Sequence, residues 1–267
     1  MKRLRAFLVR DFYTEVSYRT GFLVGLGGIL FRVFIFYFLA QLVNDSAAPL
    51  LSEYDGDYFA FLLIGIAFGS YFSTGLTGFA TALRQSQTTG TLEALLMTPT
   101  SVSTVIVGSA AWSYTYTTFR VLVYLLVGTL FLGLNLQGAN VLAALVSLLL
   151  AIVSFASIGI ITAGVIMIIK RGDPITALFG NLANLIGGVY YPIEILPAWL
   201  QAPAKLLPIT YALRAMRLAL INDASWAEVA PDLLVLALFC VVLFPVSLLL
   251  FRFAVDRARA DGSLAHY

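Results

Sequence analysis

Apolar residues along this chain gather into long blocks instead of alternating with polar ones. The blocks fall at 21–43, 58–83, 102–134, 139–169, 174–191 and 233–254. Most reach the ~20 residues that cross a bilayer core at ~1.5 Å per residue. Backbone groups inside lipid must be paired within their own segment, so each block is expected to be helical. The pattern predicts an all-α, polytopic membrane protein with six transmembrane helices. Ahead of them, Leu4, Phe7, Leu8, Phe12 and Val16 recur at helical spacing, with Lys2, Arg3, Arg5, Arg10 and Arg19 mostly around the other face. Residues 1–19 are therefore expected to form an amphipathic interfacial helix. Residues 20–267 form a single six-span domain in this reading. The first block exceeds the apolar region of a signal peptide and is expected to stay in the mature chain.

Two segments depart from the rhythm of spans and short loops. Between the second and third blocks, Thr91 is placed to cap a short helix with Glu93 near its positive end. Leu92, Leu95 and Leu96 give that helix one apolar stripe, and Pro99 disfavours helix at Thr98. Between the fifth and sixth blocks, residues 187–221 are broken by Pro192, Pro197, Pro203 and Pro208, yet Ile193, Ile195, Leu196, Trp199 and Leu200 keep them apolar. Helices that dip partway into the bilayer and return fit this composition, provided protein buries their broken backbone. Trp199, Tyr190, Tyr191 and Tyr211 suit the membrane interface.

Charge orients the spans. One set of tails and loops holds Lys2, Arg3, Arg5, Arg10, Arg19, Arg84, Lys170, Arg171, Arg252, Arg257 and Arg259, and the opposite set holds only Lys205, Arg214 and Arg217. The excess of basic residues places both termini in the cytoplasm of a cell membrane. Composition agrees: 60% of residues are hydrophobic and 11% charged, against about 25% charged in soluble domains. The net charge of +2 sits mainly at the two ends, which reflects topology and gives no sign of nucleic-acid binding.

Much chemistry is excluded by missing residues. Lys2, Lys170 and Lys205 follow Met1, Ile169 and Ala204, so none completes a phosphate-binding loop, which needs Gly before its Lys. The sole histidine, His266, lies in a polar tail, which leaves histidine triads and HExxH zinc sites unsupported. Cys240 stands alone and rules out an internal disulfide or a CxxC site. No Asp or Glu falls deep inside a predicted span, where ion-coupled carriers place one. No catalytic residue, metal or cofactor is expected in this chain.

Arg32 and Arg120 lie near the middle of the first and third blocks. A cation there costs at least about 2.5–3.5 kcal/mol, and no carboxylate of the spans is available to neutralise it. They are candidates for the substrate pathway, facing an aqueous cavity or an anionic substrate; snorkelling or carbonyl bonding at packing sites is the alternative.

Two passages carry a family resemblance. Gly90, Thr91, Leu92 and Glu93, then Leu95 and Leu96, then Thr98 and Pro99 look like a GTLE.LL.TP stretch; Gly188, Pro192, Leu196, Pro197, Trp199, Leu200, Pro208, Thr210, Tyr211 and Arg214 look like a G…P…LP.WL……P.TY..R signature. Together, in this order, the chain resembles the permease subunits of type-two ATP-binding-cassette (ABC) exporters. Where many relatives carry an acidic residue just after the Thr-Tyr pair, this chain has Ala212 and Leu213. The resemblance implies that residues 91–98 are a coupling helix seated in an ATPase subunit. It implies a pair of permease subunits, two ATPase copies binding ATP and Mg outside this chain, and outward transport of a drug or lipid-like molecule. Export of a polysaccharide or glycolipid is the alternative within the family; a channel or scaffold is the alternative outside it.

Overall fold

The computed structural model describes residue 9, residues 12–13, and residues 19–54, 56–88, 102–169 and 173–260. Among these there are eight α-helices and no strand: α1 (Arg19–Ala47), α2 (Tyr58–Thr88), α3 (Val102–Phe131), α4 (Val141–Ile169), α5 (Asp173–Ile186), α6 (Ala198–Ala204), α7 (Pro208–Ile221) and α8 (Trp226–Ala260). Two 3₁₀ turns, Ala48–Tyr54 and Ile193–Ile195, join them. The all-α membrane architecture read from the sequence is the one observed. Most of the N-terminal interfacial helix, and all of residues 91–98, lie outside the described residues. Of the former, Val9, Phe12 and Tyr13 are helical and exposed, with the Phe12 ring 6.0 Å from that of Trp112.

Among the described residues, five helices are long and apolar enough to cross a membrane, through Leu23–Asn44, Tyr58–Phe79, Ala110–Phe131, Val141–Met167 and Trp226–Arg257. Their burial is unequal, and this sets the architecture. In α2, 83% of the spanning window is buried, against 17% in α1 and 11% in α8. Helix α2 is thus the hub, with α3 and α4 against it and α8 packed on α4. Phe61, Ile64, Tyr71, Phe72 and Phe155 are fully buried along these contacts, and the Phe72 and Phe155 rings meet edge-on at 5.2 Å. Small residues let the backbones approach: a Cβ on Gly159 would strike the Gly75 carbonyl. This is the close helix packing that membranes favour when van der Waals contact, and not water exclusion, drives association.

Polar side chains start these helices. Asp57 Oδ1 accepts the Ala60 N–H at the head of α2, and Asn140 Oδ1 accepts that of Ala143 at the head of α4. At α8, Glu228 Oε2 accepts from the Ser225 N–H at 2.7 Å and from the Ser225 hydroxyl at 3.1 Å, one arm of a capping box. That cap starts the helix at Trp226, earlier than the expected residue 233, and brings Asp232 into it, 3% exposed. A buried carboxylate therefore does enter the last spanning helix, near its start. It pairs with Arg214 of α7 at 3.8 Å.

The fifth predicted span differs most. Residues 174–191 read as one crossing, but the helix covers only Asp173–Ile186, about 21 Å of rise against a ~30 Å core. The rest of the climb is non-helical. Asn184 Nδ2 donates to Ser73 Oγ halfway along α2, whereas the Tyr190 carbonyl accepts from Tyr58 Oη at the head of α2. Residues 184–190 thus rise from the middle of the bundle to its Tyr58 end. The bend turns on Gly188, whose φ of +85° is costly for any residue with a Cβ.

Past the bend the chain dips and returns, as expected of residues 187–221. Pro192 and Pro197 immediately precede the 3₁₀ turn and α6, and Pro208 is the first residue of α7. At these positions a missing N–H costs nothing and a fixed φ favours the start of a helix. Thr210 Oγ1 and Tyr211 Oη donate to the carbonyls of Ala204 and Lys205, locking α6 to α7. The start of α7 lies deep, Ala212 and Leu213 facing Phe68, Tyr71, Ala151 and Phe155. Its end regains the Tyr58 end, where the Ala219 carbonyl accepts the Asn140 N–H at 2.8 Å.

Candidate functional site

The two mid-span arginines, distant in sequence, line one cavity. It has a volume of about 310 Å³ and is walled by Arg32 of α1, Ser70, Ser73, Thr74 and Thr77 of α2, Arg120 of α3, Asn184 of α5 and the Val189–Tyr190 bend. Helix α2 supplies the hydroxyl wall because Ser70, Ser73, Thr74 and Thr77 recur at three and four residues, on one helical face. Gly69 in the same wall leaves room for the Val189 side chain.

Within this wall the polar groups divide into satisfied and unsatisfied ones. Thr77 Oγ1 donates to the Ser73 carbonyl, Ser70 Oγ to that of Ala67, and Thr74 and Thr117 share a hydroxyl bond of 2.7 Å. Arg120 is half-buried, with its guanidinium carbon 5.5 Å from the centre of the Tyr116 ring, a cation–π contact. Its Nε is buried with no hydrogen-bond partner among the described residues, and the same holds for Asn184 Oδ1. Arg32 is exposed at the mouth. The two arginines give the site positive charge, and the hydroxyls of α2 give it neutral polar groups. It contains no nucleophile–base pair, and no cluster of metal-ligating side chains occurs among the described residues.

The residues expected in the outer motif fall into one structural unit. Gly188 makes the bend, Pro192, Pro197 and Pro208 begin its elements, Tyr211 joins α7 to α6 while its ring lies 6.2 Å from Phe239, and Arg214 meets Asp232. Trp199 is 73% exposed. The coupling residues Thr91, Leu92, Glu93, Leu95 and Leu96 lie outside the described residues.

One residue of this unit escaped the sequence reading, where it counted only as a loop cation. Arg217 is 3% exposed. Its Nε donates to the Phe61 carbonyl at 3.2 Å and its Nη2 to the Val189 carbonyl at 3.1 Å, while the guanidinium lies 3.4 Å from the centre of the Phe61 ring. The Val189 carbonyl belongs to the bend and has left the helical ladder, so Arg217 supplies the donor that the broken backbone lacks. Gly65 gives both groups space, since a Cβ there would strike the Val189 oxygen. A signal was present in the sequence: Leu213, Met216, Leu218 and Leu220 surround Arg217 on α7, and a cation amid apolar neighbours requires partners.

A bundle of spanning helices, a polar cavity within it and a re-entrant hairpin beside it define a membrane transport permease. Comparison supplies the family: the model of the ABC-2 type transporter matches residues 4–221, and the chain belongs to that family. It is the permease component of an ABC transporter, multi-pass in its membrane. No curated protein matches the chain.

Proposed function

We propose that this permease is an exporter, moving a hydrophobic or amphipathic molecule, such as a drug or a lipid-like compound, outward across the cell membrane. The observation that carries this reading is the cavity between Arg32 and Arg120, which offers polar groups to a solute at a depth where lipid offers none. Two permease subunits stand side by side over two ATPase copies, which bind ATP and Mg. Both termini lie in the cytoplasm, with residues 1–19 on the membrane surface and residues 20–267 as the transmembrane domain. Closure of the ATPase pair moves Thr91, Leu92, Glu93, Leu95 and Leu96 as a coupling helix. That motion rocks the spans and opens the cavity outward or sideways.

The test is reconstitution of the permease with the ATPase that copurifies with it. The subunit ratio should be one to one, and ATP hydrolysis should rise with an added amphipathic drug or lipid. Arg32→Gln and Arg120→Gln should blunt that stimulation while leaving insertion and assembly intact. A permease that carries solute without nucleotide would refute ATP-driven export.

A further inference from the structure

Three contacts seat the bend against α2, and they differ in what they can hold. The Val189 side chain rests on Gly69, where a Cβ would stand 3.3 Å from it. One turn nearer the Tyr58 end, the Val189 carbonyl lies on Gly65 and accepts from Arg217 Nη2 at 3.1 Å. At the Tyr58 end itself, the Tyr190 carbonyl accepts from Tyr58 Oη at 3.1 Å. Gly65 and Gly69 are four residues apart, so they share one face of α2 and form a groove for backbone. Packing in that groove is a sum of small, non-directional contacts. The Tyr58 bond is exposed, and an exposed neutral bond exchanges with water at little net cost. The Arg217 bond is charge-assisted and its side chain is buried, which makes it the strong one of the three.

That bond reaches the cavity at one remove. Val189 and Tyr190 line the chamber beside Gly69 and Ser70, whereas Arg217 stands behind them and is no part of the lining. Arg217 is itself braced on α2, with its guanidinium 3.4 Å from the centre of the Phe61 ring and its Nε on the Phe61 carbonyl. Position therefore passes from α2 through Phe61 and Arg217 to the Val189 carbonyl, and from there to the Val189 side chain inside the chamber. No helical ladder holds the bend in its place, since α5 ends at Ile186 and Gly188 turns the chain at a φ of +85°. At about 310 Å³ the chamber lies at the low end of the ~300–1,000 Å³ typical of small-molecule sites. In a space that small, a shift of one wall decides whether a bulky group enters.

We propose that Arg217 is a positioning residue for substrate recognition: by holding the Val189 carbonyl on Gly65 it fixes one wall of the cavity, and so sets the bulk of the molecule that the permease accepts. Without that bond the wall recedes from Gly69 and larger groups enter. The inference rests on the cavity being part of the transport route, and it assigns the size limit of that route to a residue the substrate never touches.

Thiol reagents of graded bulk gauge the chamber directly, without a known substrate. Ser73 is an exposed position of the cavity wall, one turn from Gly69. The full-length permease carrying Ser73→Cys and Cys240→Ala is purified in neutral detergent with whatever ATPase accompanies it. It is then treated with neutral methanethiosulfonates bearing methyl, benzyl or pyrenylmethyl groups. Each variant is read as the ratio of its pyrenylmethyl rate to its methyl rate, so partition of the reagents into detergent cancels between variants. With Arg217 in place the ratio should be low, the benzyl reagent falling between the other two. Arg217→Met should raise the ratio about tenfold or more, the worth of one charge-assisted hydrogen bond, mainly through the larger reagent. Val189→Ala, which trims the same wall but keeps the carbonyl, should also raise it. Arg217→Lys should lie between wild type and Arg217→Met, and carries the test if the methionine variant fails to fold. Phe72→Leu, which loosens α2 against Phe155 of α4, is the control for a merely structural loss: it should lower the thermal midpoint and leave the ratio unchanged. A ratio unmoved by both Arg217 variants, or raised equally by Phe72→Leu, overturns the assignment. So does a wild-type wall that admits the pyrenylmethyl reagent as fast as the methyl one. If the ratio shifts but no ATPase copurifies, the exporter reading falls and Arg217 still sets the size of the chamber; if the ATPase copurifies and the ratio stays put, only the role of Arg217 falls.

Discussion

Replacing Arg217 by methionine keeps a long side chain in the same space but removes both donors that hold the bend to α2. The Phe61 and Val189 carbonyls at 3.2 and 3.1 Å then lose their charged partner in a site that is 3% exposed. The Phe61 carbonyl keeps its helical N–H partner within α2, but the Val189 carbonyl is orphaned at a cost of about 1–3 kcal/mol, and relief from burying the guanidinium offsets part of it. At roughly 2–4 °C per kcal/mol for a chain of this size, a net loss of about 1–2 kcal/mol should lower the midpoint of thermal unfolding by about 2–8 °C. The assay is heating in detergent followed by fluorescence-detected size exclusion, at one fixed heating time because such unfolding is irreversible. Arg217→Lys should fall between the two, since one ammonium cannot reproduce the planar fork that reaches both carbonyls. Lys205→Met, at an exposed position, serves as the control. A midpoint for Arg217→Met within about 1 °C of the control would show that the bend holds without its donor and would refute the reasoning.

Three other outcomes follow from the same principles. Gly65→Ala should destabilise the permease by about 1–3 kcal/mol through the clash with the Val189 carbonyl, whereas Gly27→Ala, with nothing within 4 Å, should be neutral or slightly stabilising in the same thermal assay. Leu95→Ser combined with Leu96→Ser should leave insertion intact but remove ATPase copurification or substrate-stimulated hydrolysis, since two buried leucines contribute on the order of 3–5 kcal/mol; normal transport by that variant would dismiss 91–98 as the coupling element. In a Cys240→Ala background, Asp55→Cys should react with an impermeant thiol reagent from outside and Ser86→Cys should not, and the reverse pattern would invert the topology.

Hydrophobic length made most of the fold readable, because lipid tolerates few alternatives to a helix of about 20 residues. The same signal misjudged residues 187–191, which stay apolar after the helix has ended. Apolar sequence reports depth, and helicity follows only when nothing else satisfies the backbone; here the Arg217 side chain and the Tyr58 hydroxyl do. Asp232 was placed outside the membrane for a related reason. Its carboxylate marked a boundary in the sequence, and only folding brings Arg214 within 3.8 Å. The depth of Arg32 and Arg120 was legible from their positions within the blocks. That they share a cavity is a property of how α1, α3 and α5 lean on α2, which no spacing within one helix encodes.

The shallow seating of α1 bears on how far the cavity can widen. Ile29, Val33 and Ala40 are the buried residues along its spanning length, a single narrow seam, and near the Tyr58 end it is steadied by ring contacts from Tyr37 to Phe59 and from Phe36 to Tyr190. Arg32 sits one position before Val33 on that seam. Rolling α1 about this line would carry one of the two arginines outward and widen the chamber without disturbing the packing of α2 on α4. In the exporter proposed above, the rigid wall would keep the hydroxyls, Arg120 and the asparagine in register, while the other would act as a shutter whose swing sets capacity.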